Sequence, residues 1–210
     1  MNAPFVNTGL NRTYKRDKDG RFASTGMSAS EFDAALAGAA SGEKVLTAAS
    51  LRREPNSAES VAIDRYGGEG GYVVNAELRT QAGHLSELSP RNRTTVEGLD
   101  SVMRSARLGE DVVVHRRVGS VQQVFGRDFK DDMTGLSWRD HAYVSTSVQH
   151  RGTYGSSRLQ LRILARAGTS ALSHPTLDPD EVVLGRGLTF TVVRDRGMES
   201  GMRQLDVLAQ

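Results

Sequence analysis

The chain has 210 residues, with 27 Lys and Arg, 25 Asp and Glu, and no cysteine. That length suits one compact domain with a short appendage, and 38% hydrophobic with 25% charged residues is compatible with a folded core. The absent cysteine excludes a disulfide scaffold, a thiol nucleophile and a Cys-ligated metal, and a formal charge of +2 gives no field that would draw in nucleic acid.

No apolar run approaches the roughly 18 residues a membrane span needs. The opening MNAPFVNTGLNRTYKRDKDG has no apolar stretch of the signal-peptide kind. The expectation is a soluble chain with no membrane partner, not exported by the usual signal. Residues 1–26 are polar and carry alternating charge without periodicity, so they read as a disordered or loosely docked arm. Within the arm, RDKDGRFA (16–23) resembles a short segment common near the ends of bacteriophage head-associated proteins.

The domain proper is expected over 27–210, helical over 27–108 and β-rich over 109–210. Ser28-Ala29-Ser30-Glu31 is a capping-box pattern that opens a helix through Phe32, Ala35, Leu36 and Ala39, ending at Ser41-Gly42. A further helical piece fits 43–53. Ser57 starts the next helix, through Val61, Ala62 and Tyr66. The pairs Gly67-Gly68 and Gly70-Gly71 predict a flexible turn. Tyr72, Val73, Asn75, Ala76 and Leu78 form another helical stretch. Pro90 opens a helix with Val96, Leu99, Val102 and Met103 on its apolar face.

After Gly109 the pattern turns to short β-type runs: Val112 to Val114, Tyr143-Val144, Leu159 to Leu164, Val182 to Leu184, Leu188 to Val193 and Leu205 to Leu208. Helices first and strands later predict an α+β domain.

Three segments carry candidate chemistry. In VVVHRRVG, alternation puts Arg116 on the face of Val112, Val114 and Val118. A guanidinium there needs an anion or several acceptors; an internal ion pair or a snorkelling strand end would also account for it. In HAYVSTSV, Ser145 and Ser147 share one face with Tyr143, and Thr146 takes the other. In DPDEVVLGRGLTF, Glu181 leads straight into an apolar strand, followed by Gly185-Arg186-Gly187, which fits a tight hairpin. A single Glu at a strand start is ordinarily just solvated. The histidines show no ligand spacing, so no metal is expected. Trp138 reads as a packing residue.

Taken together and in order, these segments resemble the mono-ADP-ribosyltransferases of the Arg-Ser-Glu class, the clostridial binary-toxin type. The resemblance runs from about Ala62 to Val207. AIDRYGGEGGYVVNAELR resembles the helical segment before the first sheet, VVVHRRVG the strand with the cofactor-binding Arg, YVSTSV the Ser-Thr-Ser strand, and EVVLGRGLTFTVV the segment led by the catalytic Glu. It implies N-terminal helices packed on two short, mainly antiparallel sheets around an NAD cleft. It implies Arg116, Ser145 and Glu181 as catalytic, with Arg116, Ser145, Thr146 and Ser147 binding NAD, and a protein acceptor, including one of a bacterial host. Arg117 is the alternative to Arg116. Ser145 is expected to hydrogen-bond and orient Glu181. The segment 171–180 matches the acceptor-recognition loop, with Asp178, Pro179 and Asp180 as its candidates.

One position departs from the family. Two residues before the catalytic Glu the family usually has Glu or Gln, and here stands Pro179. Three functions follow as expectations: protein ADP-ribosylation; NAD glycohydrolysis, with water in place of the acceptor; and a phage head-associated module that keeps the fold without turnover. A virion-associated protein or one acting in host cytoplasm is compatible with the first.

Overall fold

The computed structural model describes residues 27–119, 125, 132–150 and 157–210. The arm expected over 1–26 lies outside the described residues.

Five helices precede most of the strands: α1 (Ala29–Gly38), α2 (Glu43–Ala48), α3 (Ser57–Arg65), α4 (Gly71–Thr80) and α5 (Pro90–Ser105). Ser28 and Glu31 form the expected capping box. Helix α1 stops at Gly38, short of Ser41-Gly42, because the chain leaves it to pair with a strand: the Ala40 amide donates to the Asp111 carbonyl at 2.9 Å and the Ala40 carbonyl accepts from Val113 at 2.8 Å. Helix α3 is capped by Asn56 with Glu59. Glu59 is buried and accepts two bonds from the Arg53 fork, at 2.7 and 2.6 Å, and one from Ser101 on α5 at 2.8 Å. The Arg53 guanidinium and these bonds hold the Glu59 carboxyl down to about 2.

The two glycine pairs lie in a wide π-type turn between α3 and α4: Tyr66–Gly70 joins the two helices across a kink at Gly68, whose φ of −87° and ψ of −159° are not helical. A Cβ on Gly70 would collide with the Arg65 carbonyl oxygen, and one on Gly71 with that of Tyr66. The turn therefore needs glycine for close backbone approach.

The strands are β1 (Val112–Val118), β2 (Ser137–Arg139), β3 (Val144–Ser147), β4 (Leu159–Ala165), β5 (Ala171–Leu172), β6 (Glu181–Leu184), β7 (Thr189–Glu199) and β8 (Met202–Ala209). They form a single hydrogen-bonded sheet in the order β2-β7-β8-β4-β1-β3-β6-β5, in place of the two sheets expected. Only β4 and β8 run parallel. The sheet nearly divides at one seam: β1 and β3 share the single pair His115–Ser147, whereas β1 and β4 share seven.

One face of this sheet forms the largest core. It takes Val112, Val114 and Val118 from β1, Leu161 and Ile163 from β4, Val144 from β3, Val182 and Leu184 from β6, and Phe190 from β7. Among the described residues little outside the sheet covers that face beyond α2 and short flanking segments. Its residues are nonetheless almost wholly buried, so the two arms of the sheet fold over onto each other at the seam. Trp138 packs in this core, stacked on Phe190 with ring centroids 5.2 Å apart. The outer face of the β3-β6-β5 arm is covered by α3, α4 and α5, through Ile63, Tyr66, Leu78, Leu99, Tyr143 and Val183. The outer face of the other arm is covered by α1 through Phe32.

The Gly185-Arg186-Gly187 turn is not a hairpin, because β6 and β7 do not pair. It carries the chain from one arm to the other. Gly187 supplies the positive φ, +79°, and Arg186 anchors the crossing on Asp100 of α5 at 2.6 Å.

Candidate active site

The seam between β1 and β3 is where the sequence candidates meet. Ladder pairing puts Ser147 directly across from Glu181, and Ser145 across from Val183. Ser145, Ser147 and Glu181 thus share one face, with Glu181 at the head of β6. Past His115 the two strands part, and Arg116 spans the gap. Its Nη1 donates to the Ser145 carbonyl oxygen at 2.6 Å. The acceptor that the sequence left open for this guanidinium is therefore, in part, β3 backbone.

Ser145 does not meet Glu181. Its Oγ lies 3.4 Å from the Tyr66 hydroxyl. The reason is register: Ser145 stands one diagonal step from Glu181, and Ser147 takes the opposite position. Thr146 is buried on the reverse face, where its hydroxyl donates to the Val182 carbonyl at 2.5 Å. It ties β3 to β6 and faces away from Ser145, Ser147 and Glu181.

Tyr66, which sequence reasoning placed in a helix and in the AIDRYGGEGGYVVNAELR segment, meets Ser145 here. It sits at the start of the π-turn, packed edge-on against Tyr143 at 5.5 Å. Asn75 of α4 donates to its hydroxyl at 2.9 Å, and Asn75 Oδ1 accepts from the Tyr143 amide at 3.1 Å. Burial pushes the Tyr66 phenol up, and the bonds with Ser145 and Asn75 pull it back. Glu181 adds to the push and Arg116 opposes it, so both charges reach the same hydroxyl. Helix α4 is held in place for this by Arg79, which grips Asp140 with two bonds at 3.0 and 3.1 Å. The available signal was the Tyr–Asn pair flanking a glycine-rich break.

Asp178, Pro179 and Asp180 form a tight turn into β6. The Glu181 amide donates to the Asp178 carbonyl at 2.9 Å, and the Asp180 amide donates to Asp178 Oδ1 at 3.1 Å. Proline's fixed φ suits this turn. The preceding loop leans on the π-turn at Gly67, where a Cβ would lie 2.7 Å from the Thr176 carbonyl oxygen.

His115, one residue before Arg116, faces β4 and β3 in the same cross-strand row as Arg162 and Ser147. Its ring packs edge-on to His150 at 5.2 Å, and its Nδ1 has no hydrogen-bond partner among the described residues. Burial, with His150 and Arg162 adding repulsion, lowers its pKa from 6.5 to about 4. Above about pH 6.5 the contribution of this neutral imidazole to stability is complete, and it is lost as pH falls toward 4, where the unfolded chain binds the extra proton. Allowing for partial exposure, the effect is about 2 kcal/mol. Urea unfolding at about pH 7 and about pH 4.5 checks this: His115→Phe should lose less stability over that interval than the wild type.

Among the described residues no group of three His, Asp or Glu side chains is arranged to hold a metal ion, and no described helix is long and apolar enough to cross a membrane.

A folded-over mixed sheet with helices on the outer faces of both arms, carrying Arg116 on β1, Ser145 on β3 and Glu181 on β6, frames the site. The family model for ADP-ribosyltransferase exoenzymes matches residues 43–210, and the chain belongs to that family. The fold is similar to the Clostridium limosum C3 exoenzyme, at a TM-score of 0.67 and 18% identity, covering 80% of this chain and 90% of that one. It is similar to C3stau2 from S. aureus, solved with NAD, at a TM-score of 0.64 and 18% identity, covering 88% and 96%. It is also similar to BECa, an ADP-ribosylating toxin of a C. perfringens binary enterotoxin solved with NADH, at a TM-score of 0.61 and 18% identity, covering 75% of this chain and 44% of that one. No curated protein matches the chain in sequence.

Proposed function

We propose that the chain cleaves the nicotinamide–ribose bond of NAD and transfers ADP-ribose to an arginine of a protein acceptor. The observation that carries this reading is the convergence of Arg116 and Glu181 on the Tyr66–Ser145 pair. As the C1′–N bond breaks, its electron pair leaves with nicotinamide and positive charge grows on the ribose. The Glu181 carboxylate opposes that charge, as carboxylates do in glycoside hydrolysis. Arg116 presents its guanidinium to a phosphate or ribose oxygen. Ser145 and Tyr66 set the floor between them, and Ser147 is the hydroxyl nearest to Glu181 along the ladder. Family membership and the NAD and NADH complexes of similar folds support NAD as the substrate. NAD is consumed here, and no metal takes part in the proposed steps.

The segment at 16–23, which resembles part of phage head-associated proteins, supports a bacterial host protein as acceptor and delivery with a virion. Catalysis is assigned to 27–210. A chain starting at Met27 is expected to keep full NAD cleavage, measured as nicotinamide release.

A second reading, NAD glycohydrolysis, is favoured by Pro179, which offers neither an acid–base side chain nor a backbone N–H. Labelled NAD incubated with the protein and a bacterial lysate separates the readings. Label on a protein band supports transfer, free ADP-ribose alone supports hydrolysis, and neither supports an inactive module. Pro179 is exposed, so Glu fits there without collision. Pro179→Glu should raise the ratio of arginine transfer to hydrolysis several-fold, read with a small guanidino acceptor and excess NAD; no rise would place the family's acceptor chemistry elsewhere in this chain.

A further inference from the structure

We propose that Gln149 is an acceptor-side positioning residue that works with Asp180, filling the polar role that Pro179 leaves vacant. The inference rests on the transferase reading above. It is carried by the way β3 and the turn into β6 stay together beyond their last ladder pair.

Past Ser147–Glu181 the two chains hold for one residue more: the Val148 amide donates to the Asp180 carbonyl at 2.9 Å. Gln149 follows, and its amide donates to Ser147 Oγ at 3.0 Å. This local bond bends the strand end and leans Gln149 against the 178–181 turn. Its side-chain Nε2 then stands 3.5 Å from Asp180 Oδ1. An amide at the end of β3 and a carboxylate on the turn into β6 thus lie side by side, next to Glu181.

The contact is long for a hydrogen bond, which suits a group that must turn toward a guest. A glutamine amide has two N–H donors and one carbonyl acceptor. Holding Asp180 uses one donor, so the carbonyl stays open to a guanidinium N–H. Asp180 offers its carboxylate to the same guanidinium, the pairing that planar cation favours. Asp178 is the poorer candidate, because its Oδ1 already accepts the Asp180 amide within the turn.

The transfer step balances. The guanidinium gives one proton to the Asp180 carboxylate. Its freed nitrogen lone pair forms the new bond to C1′, as the old C1′–N pair departs with neutral nicotinamide. The carboxyl then releases the proton to water. Gln149 acts through Asp180 and takes no proton itself.

The test uses the full chain, labelled NAD and agmatine as the guanidino probe. Three quantities are read: agmatine adduct, free ADP-ribose, and KM for agmatine separately from kcat. Gln149→Met keeps length and volume and removes the amide, so a packing role alone would survive it. It should lower the ratio of adduct to free ADP-ribose about fivefold, mainly through KM for agmatine. Gln149→Asn, which keeps the amide but draws it back from Asp180, should do the same; Asp180→Asn should lower the ratio further, through kcat. Unchanged ratios and agmatine KM in both Gln149 variants would overturn the proposal. So would a wild type that consumes NAD and never modifies agmatine, although NAD cleavage itself would stand. A wild type that consumes no NAD overturns the transferase reading, and this inference with it.

Discussion

Glu181→Gln should abolish NAD cleavage while leaving the fold intact. The substitution removes a charge and almost no volume. Glu181 opens β6 and makes its ladder contact with Ser147 through the backbone, which Gln reproduces. The Glu181 side chain is half-buried, and its charge pushes the Tyr66 phenol up. A neutral amide at the same place offers hydrogen bonds to ribose but no counter-charge to an oxocarbenium-like transition state. Loss of one such electrostatic stabiliser costs about 10²-fold or more in rate. Nicotinamide release by the purified variant measures it, with NAD affinity followed by calorimetry. Affinity should change little, since the charge being stabilised develops only in the transition state. Wild-type turnover in the Gln variant would remove Glu181 from the mechanism.

The same residue shows what was legible in the sequence. The apolar runs behind Glu181 and around Arg116 fixed β6 and β1, because a strand buried on both faces writes itself as an unbroken apolar run. The capping box at Ser28 marked the start of α1, and α3 begins at Ser57 as read, with Asn56 as its cap. Strands β2 and β5 were missed: at three and two residues they have no period to detect. The Gly-Arg-Gly segment has hairpin chemistry but joins two arms of the sheet, a choice made by long-range pairing. Register is the larger gap. The family resemblance implied that Ser145 orients Glu181; the ladder sets Ser147 opposite Glu181, and the Ser145 hydroxyl lies 3.4 Å from that of Tyr66. No local signal specifies which residue of one strand faces which of another, so the contacts of Tyr66 and Asn75 with β3, and Gln149 itself, came into view only with the fold.

Arg116→Lys should weaken NAD binding by about 30- to 100-fold, equivalent to about 2–3 kcal/mol for charge-assisted hydrogen bonds lost. The argument turns on shape, since both side chains carry the charge. Arg116 spends Nη1 on the Ser145 carbonyl at 2.6 Å. That bond ties the guanidinium to β3 across the seam. A lysine ammonium is a single point: placed on the Ser145 carbonyl it cannot also present a planar fork to a phosphate, and placed on the phosphate it releases β3. Either outcome loses one half of what Arg116 does. Arg117 alternates to the opposite face of β1 from Arg116, so Arg117→Lys should have the smaller effect. Calorimetric titration with NAD on the two variants and wild type decides between them. Equal affinities for Arg116→Lys and wild type, or a larger loss at Arg117, would reassign the cofactor arginine to its neighbour.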